Sequence, residues 1–266
     1  MSLLLHMSHM SRVIALFNQC GGVGKSTLTM NLGYHLQERS HRVLLVDMDP
    51  QASLTIFMGI EPEKLNSTVR DVLADEDDDE ELSELPIHKG LHGLDLMPSS
   101  IDLSATELSL VNADMRDVRL KDALSPVRDE YDFILIDCPP SLGLLSYISL
   151  VAATHILVPI QTQFKAFEGT NLLLKTVARV RRRSNRGLKI AGFIPTLFDA
   201  RRSQDARTLE AIKERFAAVG LIHPPIPWST SFADSVEARV PLSVYDSSHK
   251  AIAVLKSIVL DLEVMV

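Results

Sequence analysis

The most informative part of the sequence is the ten-residue stretch NQCGGVGKST, from Asn18 to Thr27. It directly follows a short apolar run, Val13–Phe17, and opens a segment with helical character, Ser26–Gln37. Glycines allow the backbone to turn tightly, so that successive N–H groups can point at phosphate oxygens, and the following helix N-terminus adds positive potential. The order of strand, glycine-rich loop and helix therefore predicts a phosphate-binding loop.

Individual positions in this loop suggest individual roles. We expect Lys25 to hold the β- and γ-phosphates of a nucleotide and the Ser26 hydroxyl to ligate Mg²⁺. The expected nucleotide-binding set also includes the loop residues Gly21, Gly22, Val23, Gly24 and Thr27. The general pattern G-x-x-x-x-G-K-[ST] is not met, because Gln19 occupies the position of its first glycine. The sequence therefore predicts a variant phosphate loop.

Short apolar runs alternate with helical segments along the chain. The runs are Val13–Phe17, Val43–Val46, Leu94–Met97, Phe133–Ile136, Ile156–Ile160 and Ile190–Ile194. The helical segments include Ser26–Gln37, Ala105–Asp129 and Glu168–Arg183. Runs that are apolar on both faces and separated by helices are typical of a parallel sheet covered on both sides. We predict a doubly wound, mostly parallel α/β fold with its ligand crevice at the carboxyl ends of the strands.

Length and composition restrict the class of protein. The chain has 266 residues, is 46% apolar and contains two cysteines, so a disordered chain and a disulfide framework are both excluded. No stretch has the roughly 18 consecutive apolar residues of a membrane span, and the start has no basic region of a secretion signal. We expect a cytoplasmic protein with one domain over residues 11–266. Residues 1–10 are expected to be an added or disordered N-terminus, with Met10 as a candidate start.

Charge is distributed unevenly along the chain, whose formal net charge is −7. Residues 75–84, DEDDDEELSE, carry eight acidic side chains, and we expect them to form a solvated loop. Residues 171–215 carry twelve Lys or Arg against four Asp or Glu, a local net charge of 12 − 4 = +8. An acidic protein with one basic region can still bind nucleic acid, because the local field matters more than the total charge.

Two predicted strands end in carboxylates that would reach the same crevice. Asp47 and Asp49 follow one run, and Asp137 follows another. In nucleotide hydrolysis, residues at the carboxyl ends of buried parallel strands bind Mg²⁺ and orient the attacking water. We expect Asp47 to orient or activate water and Asp137 to support Mg²⁺ through a coordinated water. Asp49 either has a related metal-site role or caps the next helix.

Four motifs carry a family resemblance. In order and spacing, NQCGGVGKST (18–27), VLLVDMDPQAS (43–53), ILIDCPPSLGLL (134–145) and IPTLFDARR (194–202) resemble the ParA/MinD family of deviant Walker A ATPases. The resemblance covers roughly residues 11–260. It implies a ParA-like P-loop NTPase fold and a homodimer that forms around ATP and Mg²⁺ and is lost after hydrolysis. For ParA-type members it further implies non-specific binding to nucleoid DNA and a cargo-adaptor protein that stimulates a weak ATPase.

The sequence departs from the family at Cys20. The family has a signature lysine at this position, which reaches the ATP of the other subunit, and a neutral thiol gives no cationic stabilisation to the transition state. Lys165, in the loop after the Ile156–Ile160 run, is our candidate for a replacement catalytic cation, with a solvated loop lysine as the alternative. Loss of the signature lysine is associated with the McdA-like subset that positions carboxysomes, which makes carboxysomes the preferred cargo. The alternatives are plasmid or chromosome partition, a nucleotide-gated switch with negligible hydrolysis, and a MinD-like membrane-associated ATPase.

The resemblance also suggests partner surfaces. Arg201, followed by Arg202, matches a family arginine that contacts DNA, and the cluster Arg181, Arg182 and Arg183 adds positive charge. Trp228 stands where the family often has a basic residue, so the family's DNA footprint is only partly present, and the cluster alternatively forms a solvated helix end. At the C-terminus, residues 251–266 have apolar side chains at helical spacing but few cations, so we expect a core helix and no membrane binding.

Overall fold

The computed structural model describes residues 11–74 and 84–265, apart from the side chains of residues 164–169 and 171. The strands are β1 (Arg12–Leu16), β2 (Val43–Asp47), β3 (His88–Leu91), β4 (Leu94–Met97), β5 (Phe133–Asp137), β6 (His155–Gln161) and β7 (Lys189–Thr196). They form a seven-stranded sheet in the order β3-β4-β2-β5-β1-β6-β7. Every neighbouring pair is parallel except β3 and β4. The predicted mostly parallel α/β fold is confirmed.

Helices cover both faces of this sheet. They are α1 (Lys25–Gln37), α2 (Ser53–Phe57), α3 (Val69–Leu73), α4 (Leu103–Ser109), α5 (Arg119–Leu124), α6 (Leu144–Ala152), α7 (Phe164–Arg183), α8 (Ser203–Phe216), α9 (Ser231–Glu237), α10 (Leu242–Tyr245) and α11 (Ala251–Val264). One apolar cluster joins the sheet to α3–α8, and a second joins the other face to α1, α2, α10 and α11. Since α1 and α6 lie on opposite faces, a crevice opens where the chain leaves β1 and β5, as doubly wound folds require.

The central strands are buried because their sequences are apolar on both faces. All residues of β2 and β5 are buried, including the aspartate at the end of each strand. Helix α1 approaches β2 closely at Gly33, where an added Cβ would lie 2.8 Å from Leu45 Cδ2. This close packing holds the middle of α1 against β2.

Helix α11 is part of the core, as the spacing of its apolar residues predicted. Its residues Leu255, Ile258, Val259 and Leu262 are buried against the α1 side of the sheet. The apolar face that a membrane-binding helix would need is therefore covered. Within the described ranges, none of the helices has the length and apolar character needed to cross a membrane.

Two sequence-based expectations differ from the structure. Strand β3 was not expected, because its sequence HKGL is only partly buried at the sheet edge and has no apolar run. The segment 105–129, expected as one helix, is divided into the end of α4, two short 3-10 turns and α5. Met115, with φ of 52°, lies in this break. The predicted N-terminal segment 1–10 and most of the acidic loop, residues 75–83, lie outside the described residues.

An extended segment continues the sheet beyond β7. Residues 221–228 lie parallel to β7 and the residues that follow it, through isolated bridges at Phe193 with Ile222 and Phe198 with Pro227. The Phe193 N–H donates to Leu221 O at 2.7 Å, and the Trp228 N–H donates to Phe198 O at 2.9 Å. This segment therefore covers most of the outer edge of β7 and places Trp228 beside the loop that carries Arg201.

Candidate functional site

The loop between β1 and α1 is open on the side that a phosphate would occupy. Gly22 and Gly24 have φ of 72° and 89°, in the left-handed region that favours glycine. A Cβ added at either position would meet no atom within 4 Å, so there is free space in front of the backbone. Helix α1 begins immediately afterwards at Lys25, so its N-terminal N–H groups border the same space. The predicted residues 21–27 thus form one concave backbone surface.

Neighbouring strands hold this loop in place. Asn18 donates from Nδ2 to Pro159 O on β6 at 2.6 Å, and its Oδ1 accepts from the Cys20 N–H at 3.0 Å. On the other side, the Thr196 hydroxyl at the end of β7 donates to Val23 O at 2.9 Å. Neither Asn18 nor Thr196 was predicted to be a site residue. Asn18 lies inside the NQCGGVGKST motif, so the sequence could have indicated it. The contact of Thr196 with the loop becomes visible only when the fold places the end of β7 beside Val23.

Lys25 is buried and points back onto the loop. Its Nζ donates to the Cys20 carbonyl at 3.0 Å, and only 7% of the residue is exposed. Burial lowers the pKa of Lys25, and the nearby carboxylate of Asp137 opposes this change most strongly. A buried ammonium with an anionic neighbour and one carbonyl partner can interact with a phosphate that enters the loop.

Asp137 and Asp47 are directly opposite each other in the register of β5 and β2. Burial raises the pKa of Asp137 well above its usual range, and the charge of Asp47 adds to the rise, while the Ser26 hydroxyl and Lys25 oppose it. Neither oxygen of Asp137 has a hydrogen bond of good geometry among the described residues. A buried carboxylate without partners is costly, so this position suits a cation or its coordinated water.

The two aspartates that follow β2 have different environments. Asp47 Oδ1 accepts from the Asp49 N–H at 3.1 Å, and Oδ2 accepts from the N–H and hydroxyl of Thr55 at 2.9 Å and 2.7 Å. Burial raises the pKa of Asp47 to about 7. Asp49 Oδ1 accepts from the Gln51 N–H at 3.0 Å. Burial raises the pKa of Asp49, and the Gln51 N–H and the charge of Lys25 oppose this rise in part.

These hydrogen bonds change the roles expected for Asp47 and Asp49. Both oxygens of Asp47, the residue expected to activate water, are already used to hold the loop that follows β2. Asp49 keeps one carboxylate oxygen without a hydrogen bond among the described residues and interacts electrostatically with Lys25. The geometry therefore favours Asp49 for the water-directed role. The decisive partner, Thr55, lies eight residues after Asp47 and gave no signal in the sequence.

The structure describes the side chain of Cys20 but not that of Lys165, the predicted replacement cation. Cys20 is half-buried at the start of the glycine loop, so the position of the family's signature lysine does border the candidate phosphate site. Lys165 lies in the first turn of α7, after the carboxyl end of β6, but its side chain is outside the described residues. Its role as a replacement cation stays a prediction. Cys138 is fully buried beside Asp137, and burial raises the pKa of its thiol to about 12.

The structure does not bring the two predicted groups of DNA-binding arginines together. Arg201 and Arg202 follow β7 at the carboxyl edge of the sheet, whereas Arg181–Arg183 are exposed at the end of α7. Helix α7 runs back from the end of β6 to the start of β7, so its C-terminus lies at the opposite edge. Arg201 is exposed, but its guanidinium donates to both oxygens of Asp199 at 2.9 Å, which helps lower the pKa of Asp199 to about 2.

The fold and this site define a P-loop nucleotide-binding protein, and comparisons with known proteins specify its family. The family model described as "AAA domain" matches residues 11–190. Sporulation initiation inhibitor protein Soj of Bacillus subtilis is 38% identical over 237 residues, covering 89% of this chain and 92% of that protein. Chromosome partitioning protein ParA of Myxococcus xanthus is 36% identical over 244 residues, covering 90% and 83%. The chain belongs to the ParA/MinD family of partition and positioning ATPases.

Two solved structures add to this result. A Mycobacterium smegmatis protein described as cobyrinic acid a,c-diamide synthase, with bound ATP analogue and magnesium, has a TM-score of 0.76 at 37% identity, covering 90% of this chain and 98% of that one. The apo structure of McdA from Cyanothece has a TM-score of 0.80 at 26% identity, covering 93% and 99%. Compared with the M. smegmatis structure, McdA therefore has a slightly higher structural similarity to this chain and a lower sequence identity.

Proposed function

We propose that this protein is a ParA-type ATPase that binds Mg²⁺ and ATP in the loop of residues 18–27 and hydrolyses ATP to ADP and phosphate. The observation that carries the proposal is Asp137: its buried carboxylate has no hydrogen bond of good geometry among the described residues, and it lies close to Ser26, Lys25 and an open glycine backbone. The ATP analogue and magnesium in the M. smegmatis relative at 37% identity support the same ligands here.

The loop residues have distinct proposed roles. The backbone of Gly21–Gly24 and the hydroxyl of Thr27 bind phosphate oxygens, and Lys25 neutralises their charge. The Ser26 hydroxyl is a direct ligand for Mg²⁺, while Asp137 holds a metal-bound water. The ion supplies charge stabilisation to the phosphates when it is bound.

The hydrolytic water is the remaining requirement. Asp49 orients this water, because one of its carboxylate oxygens has no hydrogen bond among the described residues and the carboxylate lies within electrostatic reach of Lys25. Asp47 holds the Asp49 backbone in place and takes no direct part in the chemistry. We propose that Lys165 provides the cation that Cys20 does not, either within one subunit or across a homodimer.

The biological role we propose is ATP-dependent positioning of cargo on nucleoid DNA, with a homodimer as the DNA-binding form and an adaptor protein that stimulates hydrolysis. The comparisons change the order of the two cargo classes. The chromosome partitioning protein ParA of M. xanthus and Soj of B. subtilis are 36% and 38% identical to this chain, whereas McdA is 26% identical to it. Chromosome or plasmid partition is therefore our first proposal, and carboxysome positioning is the alternative. The absent signature lysine at position 20 supports that alternative.

A second candidate follows from the name of the M. smegmatis relative, which denotes synthesis of a diamide. Such a synthesis needs a carboxylic acid substrate and a nitrogen donor in addition to ATP. Cys138 is a poor candidate for releasing ammonia from glutamine, because its thiol is fully buried and its pKa is raised to about 12. ATP turnover that requires cobyrinic acid and glutamine would support this candidate over a partition ATPase.

The central proposal is tested with the full chain by calorimetric titration of Mg²⁺ and ATP and by phosphate release. The wild type should bind ATP and release phosphate slowly, and Lys25→Ala should lose both. Lys256→Ala, at an exposed lysine of α11, is the matched control and should behave as wild type. ATP binding without any phosphate release, even with DNA present, would instead indicate a nucleotide-gated switch. Absence of ATP binding by the wild type would refute the proposal.

A further inference from the structure

Three side chains at the C-terminal end of α1 and in α10 are joined by hydrogen bonds outside the nucleotide site. Ser243 Oγ lies 3.0 Å from His35 Nε2, and His35 Nδ1 lies 2.6 Å from Glu38 Oε2. We call these residues the Ser–His–Glu cluster. A hydroxyl, an imidazole and a carboxylate in this order make the contacts that activate serine nucleophiles on several unrelated folds. Since His35 lies about 15 Å along α1 from Lys25, the cluster is separate from the phosphate loop.

Packed helices hold the cluster in place. His35 is only 1% exposed, and Asn31, one helical turn earlier on α1, accepts from the Leu242 N–H at 2.8 Å. Leu242 itself is fully buried in the core. The backbone next to Ser243 is therefore fixed to the same helix that carries His35. Placement of this kind is what a preorganised site requires.

The carboxylate decides which nitrogen of His35 carries the proton. A carboxylate only accepts hydrogen bonds, so Nδ1 of neutral His35 donates to Glu38, and Nε2 keeps its lone pair for the Ser243 hydroxyl. Burial lowers the pKa of His35, while Glu38 raises it and Lys256 of α11, whose Nζ is 3.7 Å from Glu38 Oε2, lowers it. Neutral imidazole is therefore the form at pH 7, and it can accept the serine proton.

A second serine–histidine contact in the same chain has the opposite polarity. Ser229 Oγ lies 3.0 Å from His249 Nε2, but His249 Nδ1 accepts from the Ala251 N–H at 3.2 Å. The proton of neutral His249 is therefore on Nε2, which donates to Ser229 and cannot take its proton. The Ser229 hydroxyl instead donates to Ser231 Oγ at 3.2 Å. The two pairs have the same distance between serine and imidazole and differ in the group that faces Nδ1.

The surface beside Ser243 indicates which reagents can reach it. Ser243 is half-buried, whereas Val244 and Tyr245, the next two residues of α10, are 49% and 47% exposed. These two side chains offer apolar contact to a small acyl group at the surface. An activated ester needs no proton from the protein when its leaving group departs, because that group leaves as a stable anion. Short activated acyl esters are therefore the class of reagent that fits the cluster.

We propose that Ser243 is an activated nucleophile that accepts an acyl group from short activated esters, with His35 as its base and Glu38 as the residue that positions His35. Ser243 Oγ forms a bond to the acyl carbon, and the bond between that carbon and the leaving-group oxygen breaks. The Oγ proton moves to His35 Nε2, and the leaving group departs as an anion. The Glu38 carboxylate stabilises the imidazolium that results.

The acylation is tested on the full chain with p-nitrophenyl acetate, by release of nitrophenolate and by peptide mass mapping. The wild type should release nitrophenolate in a burst equal to the protein concentration and carry the acetyl group on Ser243. Ser243→Ala should lose the burst, while Ser229→Ala, the matched control, should keep it. His35→Gln should slow the burst by roughly 10²–10⁴-fold, the usual contribution of a general base. Ser243→Cys, which keeps a nucleophile at this position, should still be acetylated there.

The positioning role of Glu38 has a separate readout that a merely structural contact would not change. The burst rate of the wild type should rise with pH through the pKa of His35, which lies below the ordinary value of about 6.5. Glu38→Gln removes a charge that raises this pKa, so the midpoint should move to lower pH and the plateau rate should fall. Glu38→Asp, which keeps the carboxylate, should restore part of the rate.

Several outcomes would overturn the proposal. They are acetylation of Ser229 or of lysines without acetylation of Ser243, a burst that Ser243→Ala retains, and a pH midpoint that Glu38→Gln leaves unchanged. The inference is independent of the proposed ATPase function, because the cluster shares no residue with the nucleotide site. Lys25→Ala should therefore lose ATP binding and keep the burst, so that failure of one proposal is distinguished from failure of the other.

Discussion

At the scale of single residues, Asp47 and Asp49 illustrate how hydrogen-bond partners separate two chemically identical groups. The carboxylate of Asp47 is saturated by three donors from Asp49 and Thr55, and the Thr55 hydroxyl in turn accepts from the Ser99 N–H at 2.9 Å. Asp47 therefore joins the loops after β2 and β4. One oxygen of Asp49 has no hydrogen bond within the part of the chain that the structure describes, so Asp49 is available for water or a metal-bound ligand.

This difference predicts opposite phenotypes for two isosteric substitutions. Asp49→Asn should keep ATP binding but lower turnover by roughly 10²–10⁴-fold, the range expected for a positioned base. Asp47→Asn should lower the free energy of unfolding by about 1–3 kcal/mol, because its amide group would face N–H and hydroxyl donors. Phosphate release and urea unfolding measure the two effects, with Asp234→Asn on the exposed side of α9 as the control. Normal turnover by Asp49→Asn would contradict the assignment.

Cys20 and Lys165 permit a test of charge replacement at the residue scale. Lys165→Ala should retain ATP binding and lose most turnover, since a cation supplied to phosphoryl transfer is worth roughly 10³–10⁵ in rate in related systems. Adding Cys20→Lys to this variant should restore turnover, because it returns a cation to the family position. Cys20→Ala alone should be neutral. Phosphate release by the four proteins is the measurement, and wild-type turnover by Lys165→Ala would disprove the replacement.

At the scale of helices and strands, α7 separates the two basic groups proposed to bind DNA. It has 20 residues, a length of about 30 Å, so Arg181–Arg183 lie far from Arg201 at the other edge of the sheet. Sites separated by more than about 10 Å usually contribute independently. A DNA duplex that uses both groups must therefore contact two separate parts of the surface.

The separation predicts additive effects on DNA affinity. Replacing Arg181, Arg182 and Arg183 by Gln should weaken binding and reduce the log–log salt slope by about 0.9 for each lost phosphate contact. Arg201→Gln should act independently, so that the losses in binding free energy add within about 0.5 kcal/mol. Arg39→Gln, just after α1 on the opposite face of the sheet from α7, is the control. Anisotropy with a non-specific duplex at several salt concentrations provides the data, and an unchanged slope in the triple variant would exclude the α7 cluster.

The elements that the sequence predicted are those determined by local pattern. Buried strands such as β5 are apolar on both faces, and the glycine loop is set by residues close together in the chain. Strand β3 was missed because an edge strand needs no apolar run, and the break at Met115 has no proline or glycine to signal it. The glycine loop and the aspartates after β2 and β5 were predicted as a candidate site because they, too, are local features of the sequence. The roles of Asp47 and Asp49 depend on Thr55, whose contact with Asp47 only the folded loop creates.

At the scale of the whole molecule, His223 connects the segment beside β7 to the C-terminal helix. Its side chain is fully buried, and its Nδ1 lies 3.1 Å from Asp261 Oδ2 on α11. Its Nε2 has no partner among the described residues, and a Cβ added at Gly192 would lie 2.5 Å from it. Burial lowers the pKa of His223, and Asp261 only partly opposes this. The neutral imidazole is therefore the form that the folded protein accommodates.

This environment predicts an acid-sensitive contribution to stability. The pKa of His223 is lower in the folded protein than in the unfolded chain, so below about pH 6.5 the unfolded chain binds more protons and folding is weakened, by at most about 1.4 kcal/mol per pH unit. Buried Asp47, with its pKa raised to about 7, acts in the opposite direction. Stability must therefore be compared between wild type and His223→Gln, in urea unfolding from about pH 7.5 to pH 5.5. The stability of the wild type relative to the variant should fall on acidification, while the half-exposed control His88→Gln should follow wild type. A difference that does not change with pH would mean that the folded protein accepts the His223 proton as readily as the unfolded chain.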